Sequence, residues 1–167
     1  TDDKIEAVAA AADAHTGDVV IVTDTGAVVS RLDGWQYLEL GEVTNVEPTV
    51  GQVGTRVTIS GVRLLGGSDT ISQVVLAGTD AEIKDYSATS VAVVVARADE
   101  SDAGDVVLYA DTGAEITASD AFAYLAEGEV TSVEPNNGQG GTYVTISGER
   151  LQGGGTEVIS VTLTNVD

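Results

Sequence analysis

The chain of 167 residues contains no cysteine, two prolines, one tryptophan and one phenylalanine. Without cysteine there is no disulfide framework and no thiol chemistry. Basic residues are also scarce, because seven Lys and Arg stand against 27 Asp and Glu and leave a formal net charge of -20. Such an acidic surface repels phosphate backbones and anionic lipid, which disfavours nucleic-acid binding. No apolar run approaches the length of a membrane span, so membrane insertion is not expected.

The most informative feature that is present is an internal repeat. GEVTNVEPTVGQVGTRVTISG at 41–61 recurs as GEVTSVEPNNGQGGTYVTISG at 128–148, so each position lies 87 residues from its counterpart. With the same offset, residues 1–80 align with 88–167 without a gap. A constant offset of this kind indicates a repeat architecture.

The phase of the repeat divides the chain into three predicted segments. Residues 41–127 form a complete unit, which begins at a Gly-Glu turn after an aromatic segment. Residues 1–40 match the C-terminal half of a unit and are called the back half. Residues 128–167 match the N-terminal half and are called the front half. Together the two halves lack only the counterpart of AEIKDYS at 81–87.

The residue pattern of the unit predicts an all-β fold of the sandwich type, because short runs rich in Val, Thr and Ile alternate with turn clusters. In TRVTISG, Val57 and Ile59 point to one face of a strand. SVAVVVA at 90–96 is apolar on both faces, as in a central strand. AFAYL places Phe122 and Tyr124 on one face.

One segment carries conflicting signals. EAVAAAADAH at 6–15 is rich in alanine and has the propensity of a helix. Its counterpart, VVVARADESD, does not. The repeat therefore predicts a strand over residues 4–11.

The repeated stretches VEPTVGQVGTRVTISGVRL and VEPNNGQGGTYVTISGERL resemble the opening of an IPT/TIG domain, an immunoglobulin-like β-sandwich. The resemblance extends through the later strands to the closing aromatic strand. One departure is Leu64, where an aromatic residue is common in the family. The resemblance implies tandem sandwiches but no particular function, since a fold alone does not establish one.

Three features are candidates for small-molecule sites. GQGGT at 138–142 could bind phosphate, but no Lys-Ser/Thr or helix follows, so a turn is the simpler interpretation. His15 is the only histidine, and a hydrolytic triad cannot be assembled around it in its predicted loop. Trp35 and Tyr37 could form a sugar-stacking platform, although their period-2 spacing is typical of a core strand.

The acidic loop RADESDAGD is the candidate metal site. Asp99, Asp102 and Asp105 could contribute oxygen ligands to Ca²⁺. The alternative is a solvated loop, which the repeat favours because the back half keeps only part of the acidic set. No other cofactor is expected.

Each half is too small to bury a core alone and would expose strand edges. Completion could be covalent, within a longer array, or noncovalent, with the front half of one molecule paired with the back half of the next. The predicted joint uses two sets of apolar residues, namely Val20, Val22, Trp35 and Tyr37 in the back half, and Val144, Ile146, Val161 and Leu163 in the front half.

These observations predict a non-enzymatic, structural repeat protein at the cell surface or outside the cell. Its partner would be itself, in a head-to-tail homopolymer, because heterologous contacts generate open filaments. Alternatives are an adhesin or carbohydrate-binding module, for which glycans would be the partners, and an accessory domain of an enzyme.

Overall fold

The structure, a computed structural model, describes residues 3–163 and contains thirteen β-strands and no α-helix within that range. The strands are β1 (His15–Val22), β2 (Val28–Tyr37), β3 (Glu42–Glu47), β4 (Val50–Gly51), β5 (Arg56–Val62), β6 (Ile71–Leu76), β7 (Thr79–Asp80), β8 (Glu82–Tyr86), β9 (Ser90–Val94), β10 (Gly104–Ala110), β11 (Glu115–Tyr124), β12 (Glu129–Glu134) and β13 (Thr145–Glu149). The predicted all-β fold is confirmed. The outer ends of the predicted halves, residues 1–2 and 164–167, lie outside the described residues.

The complete unit forms a sandwich of two sheets. One sheet has five strands in the order β4-β11-β10-β6-β7, and the other has four in the order β3-β5-β9-β8. All pairings are antiparallel except the parallel contact of β4 with β11. Each sheet combines strands from the first and second parts of the unit, so neither part makes a sandwich alone.

The core lies between the two sheets because apolar residues alternate with polar ones along the strands. Val57 and Ile59 of β5 are buried, as predicted, and so are Phe122 and Tyr124 of β11. Leu64, the departure from the family pattern, is also buried. The core side chains are Val46, Val57, Ile59, Leu64, Ile71, Val74, Leu76, Val91, Val93, Val95, Val106, Leu108, Ile116, Phe122 and Tyr124.

Strands β8 and β9 differ in their place in the sheet. β9 lies between β5 and β8, which confirms the central strand predicted over 90–96. β8 is the edge strand, and four of its five residues are exposed while Ile83 is partly buried. The edge strand therefore contributes little to the core.

Outside the sandwich, each half forms a two-stranded hairpin of its own. β1 pairs with β2, and β12 pairs with β13. Each hairpin has the register of its counterpart in the complete unit, including the bulge between Gly17 and Val19, which matches the bulge between Gly104 and Val106. Within residues 3–163, the halves thus adopt the local structure of the unit, with apolar faces that no second sheet covers.

The strand predicted over residues 4–11 is wrong, because the structure has no strand between residues 4 and 14, and no helix there either. The counterpart segment in the complete unit is β9, which hydrogen-bonds to a strand on each side. Backbone N–H and C=O groups gain from an extended conformation only when neighbouring strands pair with them. Among the described residues, this segment has no such neighbour.

Candidate assembly surfaces on the two halves

The back-half hairpin exposes one apolar face. The counterparts of Val19 and Trp35 in the complete unit, Val106 and Phe122, are both fully buried. In the hairpin, Val19 is 40% exposed and Trp35 is 50% exposed. The same positions therefore face a core in the complete unit and solvent in the hairpin, where β1 and β2 form a sheet of only two strands.

The complete unit also shows which residues of β1 belong to this face. Val20 and Val22 were predicted for the joint, but their counterparts, Val107 and Tyr109, are only partly buried. The inward positions of the strand are those of Val19 and Ile21. The run VVIV is apolar at every position, so alternation could not select the face. Trp35 and Tyr37, which were also predicted for the joint, do lie at inward positions, because their counterparts Phe122 and Tyr124 are buried.

Aromatic side chains cluster at the end of this hairpin. Trp35 and Tyr37 meet edge to face with ring centroids 5.9 Å apart, as Phe122 and Tyr124 do at 5.4 Å in the core. His15 stacks on Tyr37 at 5.1 Å. His15 was predicted in a loop, but it begins β1, and its Nδ1 lies 2.7 Å from the carbonyl oxygen of Asp13.

The front half presents the complementary apolar set. The counterparts of Val144, Ile146, Val161 and Leu163 are Val57, Ile59, Val74 and Leu76, which are all buried in the complete unit. In the front half, Val144 and Ile146 are half-buried, whereas Val161 and Leu163 are exposed. All four predicted residues of this half therefore occupy core positions of the sandwich. Their role in a joint between molecules stays a prediction.

An arginine makes the same kind of hydrogen bond at each of the two junctions between the complete unit and the halves. Arg63 Nε donates a hydrogen bond to the carbonyl oxygen of Leu40 at 2.8 Å, and its guanidinium lies 3.2 Å from the Glu39 carboxylate. Arg150 Nε donates in the same way to the carbonyl oxygen of Glu127 at 3.0 Å. The chain therefore passes from one unit to the next with the same backbone contact at both places.

A glycine at each junction permits this contact. A Cβ atom on Gly41 would lie 2.6 Å from the carbonyl oxygen of Arg63, and one on Gly128 would lie 2.5 Å from that of Arg150. Real Cβ atoms essentially never come so close. Any larger residue would push the arginine loop away from the junction, which explains why the repeat begins with glycine.

Gln52 connects the complete unit to the front half. Its Oε1 accepts a hydrogen bond from the backbone N–H of Gly128 at 2.8 Å. A Cβ atom on Gly153 would lie only 2.6 Å from Gln52 Nε2, so the amide packs closely on that glycine. The counterpart of Gln52 in the front half is Gln139.

The small-molecule candidates have structural explanations. Asp105 accepts a hydrogen bond from the backbone N–H of Asp120 at 3.0 Å and holds the bulge of β10, and Asp18 makes the same kind of contact in the back half. Across the part of the chain that the structure describes, no three acidic or histidine side chains come together as a metal site. Asp99 and Asp102 are thus not gathered with Asp105 into a ligand set. GQGGT at 138–142 is a turn, closed by the N–H of Thr142 on the carbonyl oxygen of Gln139.

The residues described by the structure include no helix long and apolar enough to cross a membrane. In the comparisons with known proteins, the sequence model of the IPT/TIG domain matches residues 42–124. This match covers the sandwich strands β3 to β11 and confirms the resemblance drawn from the repeated motifs. No curated protein matches the chain in sequence.

Several solved structures match part of the chain. An auxiliary nutrient binding protein from Bacteroides thetaiotaomicron is 26% identical with a TM-score of 0.44, over 54% of this chain and 22% of that one. The plexin A4 full extracellular region is 24% identical with a TM-score of 0.47, over 80% and 16%. The SGBP-B protein of the Bacteroides ovatus mixed-linkage glucan utilization locus, in complex with a mixed-linkage heptasaccharide, is 13% identical with a TM-score of 0.39, over 70% and 30%. The chain spans less than a third of each.

Proposed function

We propose, from the premise that residues 42–124 of this chain are an IPT/TIG domain, that the protein is a structural component of an extracellular or cell-surface filament, fibre or stalk. In this proposal, immunoglobulin-like domains follow one another end to end. The front half of one molecule and the back half of the next together make a further sandwich. The contact is strand complementation, in which backbone hydrogen bonds give affinity and alternate side chains give specificity.

One observation carries the proposal. The side chains that are buried in the complete unit have counterparts that are exposed on both halves, and the two sets belong to opposite parts of one sandwich. Trp35 is 50% exposed and Val161 is 55% exposed, whereas their counterparts, Phe122 and Val74, are fully buried. Bringing the halves together would bury both sets at once, and that removal of apolar surface from water is the driving force.

The symmetry of such a contact determines the assembly. The front half and the back half are different surfaces, so a joint between them is heterologous. Contacts of this kind generate open filaments when the rotation does not close a ring. The high negative charge supports the same assignment, because like-charged filaments repel one another laterally.

Electron microscopy of the full chain tests the proposal. Filaments with an axial repeat of whole sandwich domains are expected, and a denaturing gel then separates short subunits from one long covalent array. Trp35 offers a second readout, because it is the only tryptophan and lies on the joint face. Its fluorescence should shift to shorter wavelength as the protein concentration rises. Monodisperse particles with an unchanged emission maximum would contradict the proposal.

A second candidate function is glycan binding by a surface adhesin. It is supported by the exposed cluster of Trp35, Tyr37 and His15, since aromatic faces can stack on sugars. Titration of oligosaccharides into dilute, unassembled protein distinguishes the two functions. Saturable binding that Trp35→Ala abolishes would favour the adhesin, whereas a tryptophan signal that responds to protein concentration and not to sugar would favour the filament.

A further inference from the structure

We infer that the glycine-rich loop at 150–155 is a docking surface for the segment that leaves the complete unit, and that Gln52 is the positioning residue that holds the two at one angle. This loop and its counterpart at 63–68 are here called the arginine loops. The occupants of the two loops are segments of the same chain, residues 125–128 and 38–41. The inference concerns contacts within one molecule, so it does not depend on whether molecules assemble.

The two arginine loops have the same backbone conformation. Arg63 and Arg150 have positive φ values of 53° and 48°. The first glycine of each loop also has a positive φ, 56° at Gly66 and 57° at Gly153. Its N–H donates a hydrogen bond to the carbonyl oxygen of the arginine, at 3.0 Å in the first loop and 2.9 Å in the second. Glycine adopts such a φ without steric cost, so the shape of the loop is a property of the repeat.

Each arginine loop packs on a leucine of the segment that precedes it. A Cβ atom on Gly154 would lie 2.6 Å from Leu125 Cδ1, and one on Gly67 would lie 2.6 Å from Leu38 Cδ1. The two leucines are counterparts in the repeat. The loop is therefore held at two separate points at both junctions, by the arginine hydrogen bond to the backbone and by this close apolar contact.

Gln52 adds a third point of contact at the junction after the complete unit. Its side chain is partly buried, accepts the hydrogen bond from the N–H of Gly128 and packs on Gly153. Its own backbone is fixed, because the N–H of Gln52 donates to Thr55 Oγ1 at 3.1 Å. One amide thus connects the complete unit, the segment that leaves it and the arginine loop. Three separate contacts leave the loop less freedom to rotate than a single hinge would.

Solvent exposure favours the amide of Gln52 over a nearby ion pair as the group that fixes the angle. Arg97 Nη1 lies 2.6 Å from the carboxylate of Glu127, but the Arg97 side chain is 74% exposed. An exposed ion pair restricts orientation only weakly, because water and salt screen the attraction. The amide of Gln52 is uncharged and partly buried, so its hydrogen bond is not screened in this way.

Pulsed electron paramagnetic resonance tests the inference, and the cysteine-free chain allows two spin labels to be attached at chosen sites. Ser119→Cys places a label on β11 of the complete unit, and Ser132→Cys places one on β12 beyond the junction, both at exposed positions. Labelled chain is diluted in an excess of unlabelled chain, so that only distances within one molecule are measured. The distance distribution should be as narrow as that of Ser119→Cys/Asp85→Cys, a pair within the sandwich.

Gln52→Ala should widen the distribution across the junction, because the loss of one hydrogen bond should raise the fraction of undocked loops by roughly fivefold. Gln139→Ala is the matched control, since Gln139 is the counterpart of Gln52 and is exposed; it should leave the distribution narrow. Gln52→Glu keeps an acceptor oxygen at the same reach and should restore the narrow distribution. The pair within the sandwich should stay narrow in every variant, which separates positioning of the loop from folding of the unit.

Three results would overturn the inference. A broad distribution across the junction in the parent chain would show that the arginine loop does not hold the preceding segment at a fixed angle. A distribution in Gln52→Ala as narrow as in Gln139→Ala would remove the positioning role of Gln52. Widening of the pair within the sandwich by Gln52→Ala would show that the residue supports the fold of the complete unit and not the angle of the junction.

Discussion

Phe122 and Trp35 occupy the same position in the repeat, and the contrast between them summarises the contrast between the complete unit and its halves. Phe122 is fully buried under a second sheet, whereas Trp35 projects half-exposed from a lone hairpin. Both hairpins have the same register and the same bulge. Local pattern is therefore sufficient to form a hairpin, but burial requires strands from both parts of the unit.

Truncating this aromatic position should give the largest effect. Phe122→Ala removes a fully buried ring, which typically costs about 3–5 kcal/mol of unfolding free energy. Trp35→Ala should change the stability of the dilute chain by less than about 1 kcal/mol, because the site is open, but should abolish assembly. Denaturant unfolding followed by circular dichroism and sedimentation measures both. Equal destabilisation by the two variants would show that Trp35 is already buried in the single chain.

Removing the carboxylates at the two bulges should have an effect of intermediate size on stability. Asp105 accepts a hydrogen bond from the N–H of Asp120, which has a positive φ of 51°. Asp105→Ala should cost about 1 kcal/mol, or about 4–8 °C in the Tm of a domain of this size. Asp18→Ala removes the equivalent bond in the back half and should leave the Tm of the complete unit unchanged. Calorimetry with Asp→Asn variants as controls separates hydrogen bonding from charge.

The comparison of Tyr124 with Tyr37 should give the smallest difference in stability. Burial raises the pKa of Tyr124 from its ordinary value of 10.0, and the Thr79 hydroxyl offsets this only in part. The protonated form is thus favoured in the folded state, so the stability it contributes is present below pH 10 and is lost as the pH rises through the higher folded pKa.

Tyr124→Phe removes this titration, and it also removes a buried hydroxyl that has no hydrogen-bond partner of normal geometry among the described residues. Unfolding in alkali should move to higher pH, with a gain of up to about 1 kcal/mol near neutral pH. Tyr37→Phe in the dilute chain should change neither the pH of alkaline unfolding nor the stability near neutral pH. A pH titration of the circular dichroism signal measures this, and an unchanged alkaline midpoint in Tyr124→Phe would contradict it.

The sequence predicted the parts of the fold that depend on local alternation. Val57 and Ile59 were placed correctly on the core face, and the central position of β9 followed from its two apolar faces. The strand over 4–11 was not predictable in this way, because its counterpart is held by neighbours on both sides that this segment lacks. The inward face of β1 was also hidden, since VVIV is apolar throughout. It becomes evident only from the buried counterparts, Val106 and Leu108.

The proposed joint rests on the sequence in outline and stays a prediction. Matching halves follow from the phase of the repeat alone.

Because the two hairpins are different surfaces, a filament of the proposed kind would also have a direction. One tip would display β1 and β2, and the other would display β12 and β13. The tips are chemically different, so subunits can add to them at different rates, and each needs its own terminator. A protein that carries only a front half would cap one tip and leave the other growing, which is a simple way to set filament length from one end.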